Sequence, residues 1–369
     1  MPSVLTAEQL YDQAEELREK ARYREAIATY QKALKALRDR DLLGHLRILK
    51  GMADCYRMVG DFEAAERFYR EALGAAERLG DDLERADCLV GIGLSQRARG
   101  MLDEAWDNFQ RALEIYQDFD DPEGEGFCLW AMGGLLRAKG ELDKAREIFN
   151  EALFIFEQLG DVRGMGYCHC GLGGLERVAG NYRRSLDHYT KANRLLSEIE
   201  DTFGRAYSFC GIGNAHRMFG EMEKALEFFA KATELYQRIG DKVSFAWTIW
   251  AEANAFKILG DLEKAAGRAG EALEMFNETG DSRGAILSDL ILAEIRKLKG
   301  DDQGARQLLG KVQELLAGKP FRLEECHFRL YRYLIEGGDK RELEEIRRAY
   351  RQLGSGFLPP KPSLPLNLP

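Results

Sequence analysis

The seven cysteines of this sequence (55, 88, 128, 168, 170, 210 and 326) include no CxxC pair, and no apolar run approaches the ~20 residues needed to cross a bilayer. Each absence argues against a class of protein. An odd cysteine count without a CxxC pair speaks against a disulfide framework and against a zinc cage. The N-terminus, "MPSVLTAEQLYDQAEELREK", turns charged and amphipathic without a signal-peptide core, so the expected location is the cytosol, with no membrane partner. The P-loop, GxSxG and HExxH signatures are missing as well. No enzyme activity, cofactor or metal centre is therefore expected. Positive charge is in short supply: 53 Lys and Arg face 62 Asp and Glu, for a net charge of -9. That balance disfavours a surface wholly given to nucleic acid or anionic membrane, while leaving room for a local basic stripe.

What is present is repetition. Gly60, Gly100, Gly140, Gly180, Gly220, Gly260 and Gly300 fall 40 residues apart, and a second beat lies halfway between them: "LGDD" at 79, "FDDP" at 119, "LGDV" at 159, "IEDT" at 199, "IGDK" at 239 and "TGDS" at 279. Each half-period carries about 18 residues of 3.6-type apolar spacing. Gly closes it as a left-handed cap, and Asp, Asn or Glu restarts the next helix. The spacing predicts one helical hairpin per 40 residues. A single hairpin cannot bury its apolar face, so stacked neighbours must supply the core of an all-α solenoid.

Aligned hairpins share further columns. Small residues at 65, 105, 145, 185, 225, 265 and 305 stand four residues before Tyr69, Phe109, Phe149, Tyr189 and Phe229, and then Ala269 and Leu309. Another small column, Ala53, Gly93, Gly133, Gly173, Gly213, Ala253 and Ala293, precedes each glycine turn. This order explains the stretch "CHCGLGGLERVAGN" at 168–181, whose glycines cost about 1 kcal/mol each in a helix interior relative to alanine. Gly171 and Gly173 belong to columns where helix packs on helix, so close approach offsets the propensity cost. Cys168 and Cys170 sit two apart on a helix and point apart, which is unsuited to clamping one ion.

The order small, aromatic or aliphatic, Gly, then A-x3-F resembles the tetratricopeptide repeat. The 40-residue unit and phrases such as "CGIGNAHRMFGE" at 210–221 look like the longer-repeat branch of the LGN/Pins-type adaptors. The resemblance implies a right-handed superhelical solenoid of antiparallel helix hairpins. Eight hairpins are expected over 1–318, a degenerate capping hairpin over 319–353, and a Pro/Leu-rich extended segment over 354–369. That last segment holds five of the eight prolines and cannot be helical. Disorder is its default, with docking into a partner or a plug folded back onto the groove as the alternatives.

The family resemblance also implies that the first helix of each hairpin lines a concave groove in which partners are held. Three columns then face the groove: Arg47, Asp87, Phe127, Tyr167, Tyr207, Trp247 and Leu287; Lys50, Val90, Trp130, Cys170, Cys210, Trp250 and Leu290; and Asp54, Leu94, Gly134, Gly174, Asn214, Asn254 and Glu294. Of the Asn that the family's adaptors often carry in the third column, this chain has Asn214 and Asn254. A fourth column stacks Arg57, Arg97, Arg137, Arg177, Arg217, Lys257 and Lys297, with Arg18 joining after a one-residue phase shift. One reading is structural, a cation in the last turn of each helix complementing the macrodipole for about 0.3–1 kcal/mol. The other is a rail for carboxylates, phosphates or carbonyls of an extended partner. Phe127, Trp130, Tyr167, Tyr207, Trp247 and Trp250 would add an apolar wall to it.

The expected function is a protein-interaction scaffold, adaptor or regulatory subunit holding an extended, partly acidic segment of another protein. Single-stranded nucleic acid or another polyanion is the second reading. A sensor of a small ligand or signal peptide is the third. Two departures from the columns invite pairing. Glu252 is expected to pair with Arg268, since a lone buried charge is expensive, and His169 with His188.

Overall fold

The computed structural model describes residues 5–38 and 41–369, so the first four residues of the expected 1–318 array lie outside it. Among the described residues every regular element is a helix, eighteen in all. The chain divides into two compact units, residues 1–131 with 237–242, and residues 132–236 with 243–369. The first contains α1 (Ala7–Glu19), α2 (Tyr23–Ala36), α3 (Leu42–Met58), α4 (Phe62–Leu79), α5 (Asp82–Ala98), α6 (Leu102–Asp118) and the opening of α7 (Pro122–Lys139). The second holds the remainder of α7, then α8 (Leu142–Leu159), α9 (Val162–Ala179), α10 (Tyr182–Glu198) and α11 (Thr202–Met218). It continues with α12 (Met222–Ile239) and α13 (Lys242–Ile258) apart from their junction, and with α14 (Leu262–Thr279), α15 (Ser282–Leu298) and α16 (Asp302–Leu316). The hairpin α17 (Arg322–Glu336) and α18 (Lys340–Gln352) follows.

The turns obey the sequence beat. The seven glycines from Gly60 to Gly300 have φ between 79° and 91°, the left-handed conformation that a side chain resists. Where the half-beat lacks glycine, Asp120 (φ 51°) and Glu200 (φ 56°) hold the same conformation. Where aspartate opens the next helix it caps it: Asp61 Oδ1 accepts from Ala64 N at 3.0 Å, and Asp281 Oδ1 from Gly284 N at 3.0 Å, whereas Met101, Glu141 and Asn181 make no side-chain cap bond.

Aromatic side chains of the even-numbered helices fill the core. In the second unit, the ring of Tyr189 on α10 lies over Gly173 of its own hairpin, and a Cβ built there would come within 2.7 Å of Cδ2. The same ring covers Gly211 of the next hairpin. Helical glycine therefore buys the space in which one aromatic bridges two hairpins. Ser185, where other hairpins have Ala, donates its hydroxyl to Gly173 O at 2.8 Å and is fully buried.

Within each unit the odd-numbered helices also touch across successive hairpins, α1 with α3 and α3 with α5 in the first, α9 with α11 and α15 with α17 in the second. Among the described residues the even-numbered pairs α2 with α4, α4 with α6, α8 with α10 and α14 with α16 show no direct contact of that extent. The odd helices are thus the closely stacked inner row, and their last turns carry the cation column.

Candidate functional site

In the first unit, the expected groove columns converge on one cleft of about 390 Å³, lined by Lys50, Asp54, Arg57, Tyr69, Asp87, Val90, Leu94 and Phe127 among others. Its cations are answered by carboxylates. Lys50 Nζ lies 2.5 Å from Glu84 Oε2 and 2.8 Å from Asp87 Oδ2, and Arg57 lies 3.8 Å from Asp54, which also accepts from the Tyr69 hydroxyl at 2.5 Å. Phe127 is 41% exposed and stacked on Trp130 with ring centroids 5.5 Å apart. Arg97 reaches forward to the next inner helix and donates to Ala131 O at 3.3 Å.

The forward reach recurs, and the third column decides what it meets. Arg18 approaches Asp54 at 4.0 Å, and Lys257 pairs with Glu294 at 2.5 Å. Arg137 instead lies over Gly174, where the missing side chain makes room for its guanidinium. Neither Arg137 nor Arg177 has an ion-pair partner among the described residues, and Nε of Arg177 is buried without a hydrogen-bond partner. Carboxylates at 54 and 294 therefore quench cations near either end of the row, while the glycine at 174 leaves its cation unanswered. The identity of the third column carries this signal in the sequence, which the regularity of the fourth column does not.

Farther along the second unit the groove is not open. Arg217, Lys257, Trp250 and Asn254, expected on an accessible surface, are 0%, 1%, 4% and 0% exposed. At Arg217 and Lys257 the cover is the chain's own Pro/Leu-rich segment, which is ordered against the inner helices, contrary to the default of disorder. Ser355 Oγ donates to Val178 O at 2.6 Å and Gly356 N to Ala179 O at 3.0 Å, at the end of α9. Phe357 packs edge-on against Tyr350 at 5.0 Å. Farther on, Leu366 N donates to Glu294 Oε1 at 2.5 Å, and its carbonyl accepts from Lys257 Nζ at 2.7 Å. Asn367 Nδ2 donates to Arg217 O at 2.9 Å while its Oδ1 accepts from the Arg217 guanidinium. Leu366 and Leu368 are buried.

Arg217 is held otherwise by Asn214, whose Oδ1 accepts from Nη2 at 3.0 Å, and by the face of Trp250 at 5.9 Å. Burial, reinforced by the nearby positive charge of Arg177, pulls its pKa down to about 9. Burial also lowers that of Lys257, against the opposing pull of Glu294.

The remaining expected members are more engaged than an open apolar wall requires. Tyr167 donates to Asp201 Oδ2 at 3.0 Å and Trp247 Nε1 to Asp281 Oδ2 at 3.0 Å, so each ties its helix to the next hairpin's cap. Both, like Tyr207, are half-buried. Asn214 is buried and donates to Cys210 O at 3.1 Å. Lys297 leaves the row and pairs with Asp302 at 2.8 Å. Both expected polar pairs are present: Arg268 Nε lies 3.1 Å from Glu252, and the Nδ1 atoms of His169 and His188 are 3.0 Å apart. Among the described residues no group of His, Cys, Asp and Glu could hold a metal, and no helix is long and apolar enough to cross a membrane.

Solved structures with similar folds include a Rap protein complexed with competence and sporulation factor (15% identity, TM-score 0.61, covering 94% of this chain and 99% of that one). The Rap conjugation gene regulator of the plasmid pLS20, in complex with the Phr* peptide, matches with a TM-score of 0.63 at 14% identity over 85% of this chain and 98% of that one. Aspartyl phosphate phosphatase F from Bacillus subtilis matches at 0.53 and 13% over 98% and 99%. At such identities the likeness concerns the fold. No curated protein sequence matches. The tetratricopeptide repeat family matches over residues 10–78, 45–118, 84–158, 169–238 and 203–279, together more than half of the sequence, and with its hairpins, turns and inner row of helices the chain belongs to that family.

Proposed function

We propose that this chain is a non-enzymatic regulatory scaffold that binds an extended segment of another protein on the inner helices α9, α11, α13 and α15. Support comes above all from the seat those helices already give to residues 355–368. A buried lysine and glutamate answer the carbonyl and amide of one residue, Leu366, the buried arginine answers a side chain, and two leucines are enclosed. Main-chain bonds supply affinity for any extended chain, and enclosed side chains supply selectivity. The unpaired Arg137 and Arg177 favour a segment that carries acidic residues elsewhere along its length. One structural neighbour named as a complex with the Phr* peptide, and another named as a complex with competence and sporulation factor, agree with this reading. A signal-peptide sensor is a form of the same proposal, and the cytosol remains its proposed setting.

Polyanion binding is a poorer fit. Phosphates would meet Asp54, Asp87, Asp121 and Glu123 in the first unit's cleft, and Tyr167 and Trp247 spend their polar edges on aspartates rather than standing free to stack on bases. The test compares the full chain with one ending at Gly354, after circular dichroism shows that both are helical. Against an array of extended peptides, the shortened chain should capture its ligands at least tenfold more tightly. Equal capture by the two forms, or binding that falls log-linearly with salt for any polyanion offered, overturns the proposal.

A further inference from the structure

Resting on the peptide-binding reading, we infer that the groove selects a carboxamide: its ligand is an extended segment with asparagine between two aliphatic residues, and Leu366, Asn367 and Leu368 are an intramolecular copy of it. At Arg217 the groove offers one donor and one acceptor side by side. The guanidinium donates to Asn367 Oδ1, and the main-chain carbonyl of the same arginine accepts from Asn367 Nδ2 at 2.9 Å. A carboxamide has one acceptor and one donor at that spacing and satisfies both. A carboxylate satisfies the guanidinium but sets its second oxygen against the carbonyl oxygen. An aliphatic side chain satisfies neither, leaving a fully buried arginine with only Asn214 and the Trp250 face.

The neighbouring contacts fix the register in which the side chain is read. The ion pair of Lys257 and Glu294, buried and 2.5 Å apart, grips both main-chain groups of the preceding residue, Leu366. With the main chain held on both polar groups, the next side chain is delivered to Arg217. A slip of one residue would bring an aliphatic group there. Buried polar groups that would be stranded by a wrong residue discriminate more sharply than an apolar pocket does.

The experiment uses the full chain and three labelled peptides: SLPLNLP, the sequence of residues 363–369, and versions with Asp or Leu in place of Asn. Binding is measured by fluorescence anisotropy to wild type and to Asn367→Ala, in which the resident segment is weakened. Hydrogen exchange at residues 366–368 is read in parallel. Asn367→Ala should bind the Asn peptide at least tenfold more tightly than wild type does. The Asp and Leu peptides should bind that variant at least tenfold more weakly than the Asn peptide. Three peptides within twofold of one another, or an Asp peptide that binds best, would overturn carboxamide selection and leave the peptide reading standing. Should no peptide bind although exchange shows residues 366–368 released in Asn367→Ala, the peptide reading itself falls.

Discussion

The buried histidines His169 and His327, with the half-buried His188, tie local chemistry to stability. Burial drives the pKa of His169 and of His327 down to about 4, and lowers that of His188. Lys191 and the facing His188 add to the effect at His169, whereas Arg283 and Arg177 depress His327 against the opposing charge of Glu324. A base depressed in the fold stays neutral while the unfolded chain takes up its proton. Stability is therefore whole above the unfolded value near 6.5 and is lost as pH falls from there toward 4. At pH 5, His169 and His327 each withdraw about 2 kcal/mol. Urea unfolding of His327→Gln, followed between pH 7 and pH 5, should show a shallower acid limb than wild type. Identical limbs would mean that this imidazole is protonated in the fold. His327 donates to or accepts from Tyr350 at 2.8 Å, so glutamine keeps a polar partner there.

At the level of a single hairpin, two rules compete over glycine, and the structure shows which prevails at each place. Gly173→Ala gains about 1 kcal/mol of helix propensity. It also drives a methyl into the Tyr189 ring, which sits between two hairpins and has little freedom to retreat, at a cost of about 1–3 kcal/mol. The net expectation is destabilisation, seen as a lower urea midpoint, and a more stable Gly173→Ala would show that the ring can move aside. The converse holds in the turn at Glu200. Its side chain is exposed and its φ is 56°, so Glu200→Gly should raise stability by about 1 kcal/mol. Both hairpin positions were legible as repeat columns. Their sign was not, because it depends on which ring leans on which helix.

Across the whole chain, the cation row turns out to be several devices rather than one. Arg57 and Lys257 are held by carboxylates, Arg97 grips the next inner helix, Arg217 is covered, and Arg137 and Arg177 lack carboxylate partners. Replacing Arg137 and Arg177 together by Gln should weaken capture of an acidic peptide by at least tenfold and move the melting temperature by less than about 3 °C, since no ion pair is lost. A large fall in melting temperature with unchanged capture would assign these two cations to the helix dipole instead. The helices, their caps, the left-handed turns and the core columns followed from the sequence because each is set by residues within one or two turns of helix, repeated every 40 positions. Position in the array, by contrast, says nothing of which rungs remain open. That was decided by contacts between residues 72, 109 and 150 apart, where segment 354–369 meets Glu294, Lys257 and Arg217. Such contacts leave no period in a sequence, because the free energy of docking a segment depends on the surface that the other repeats have already built.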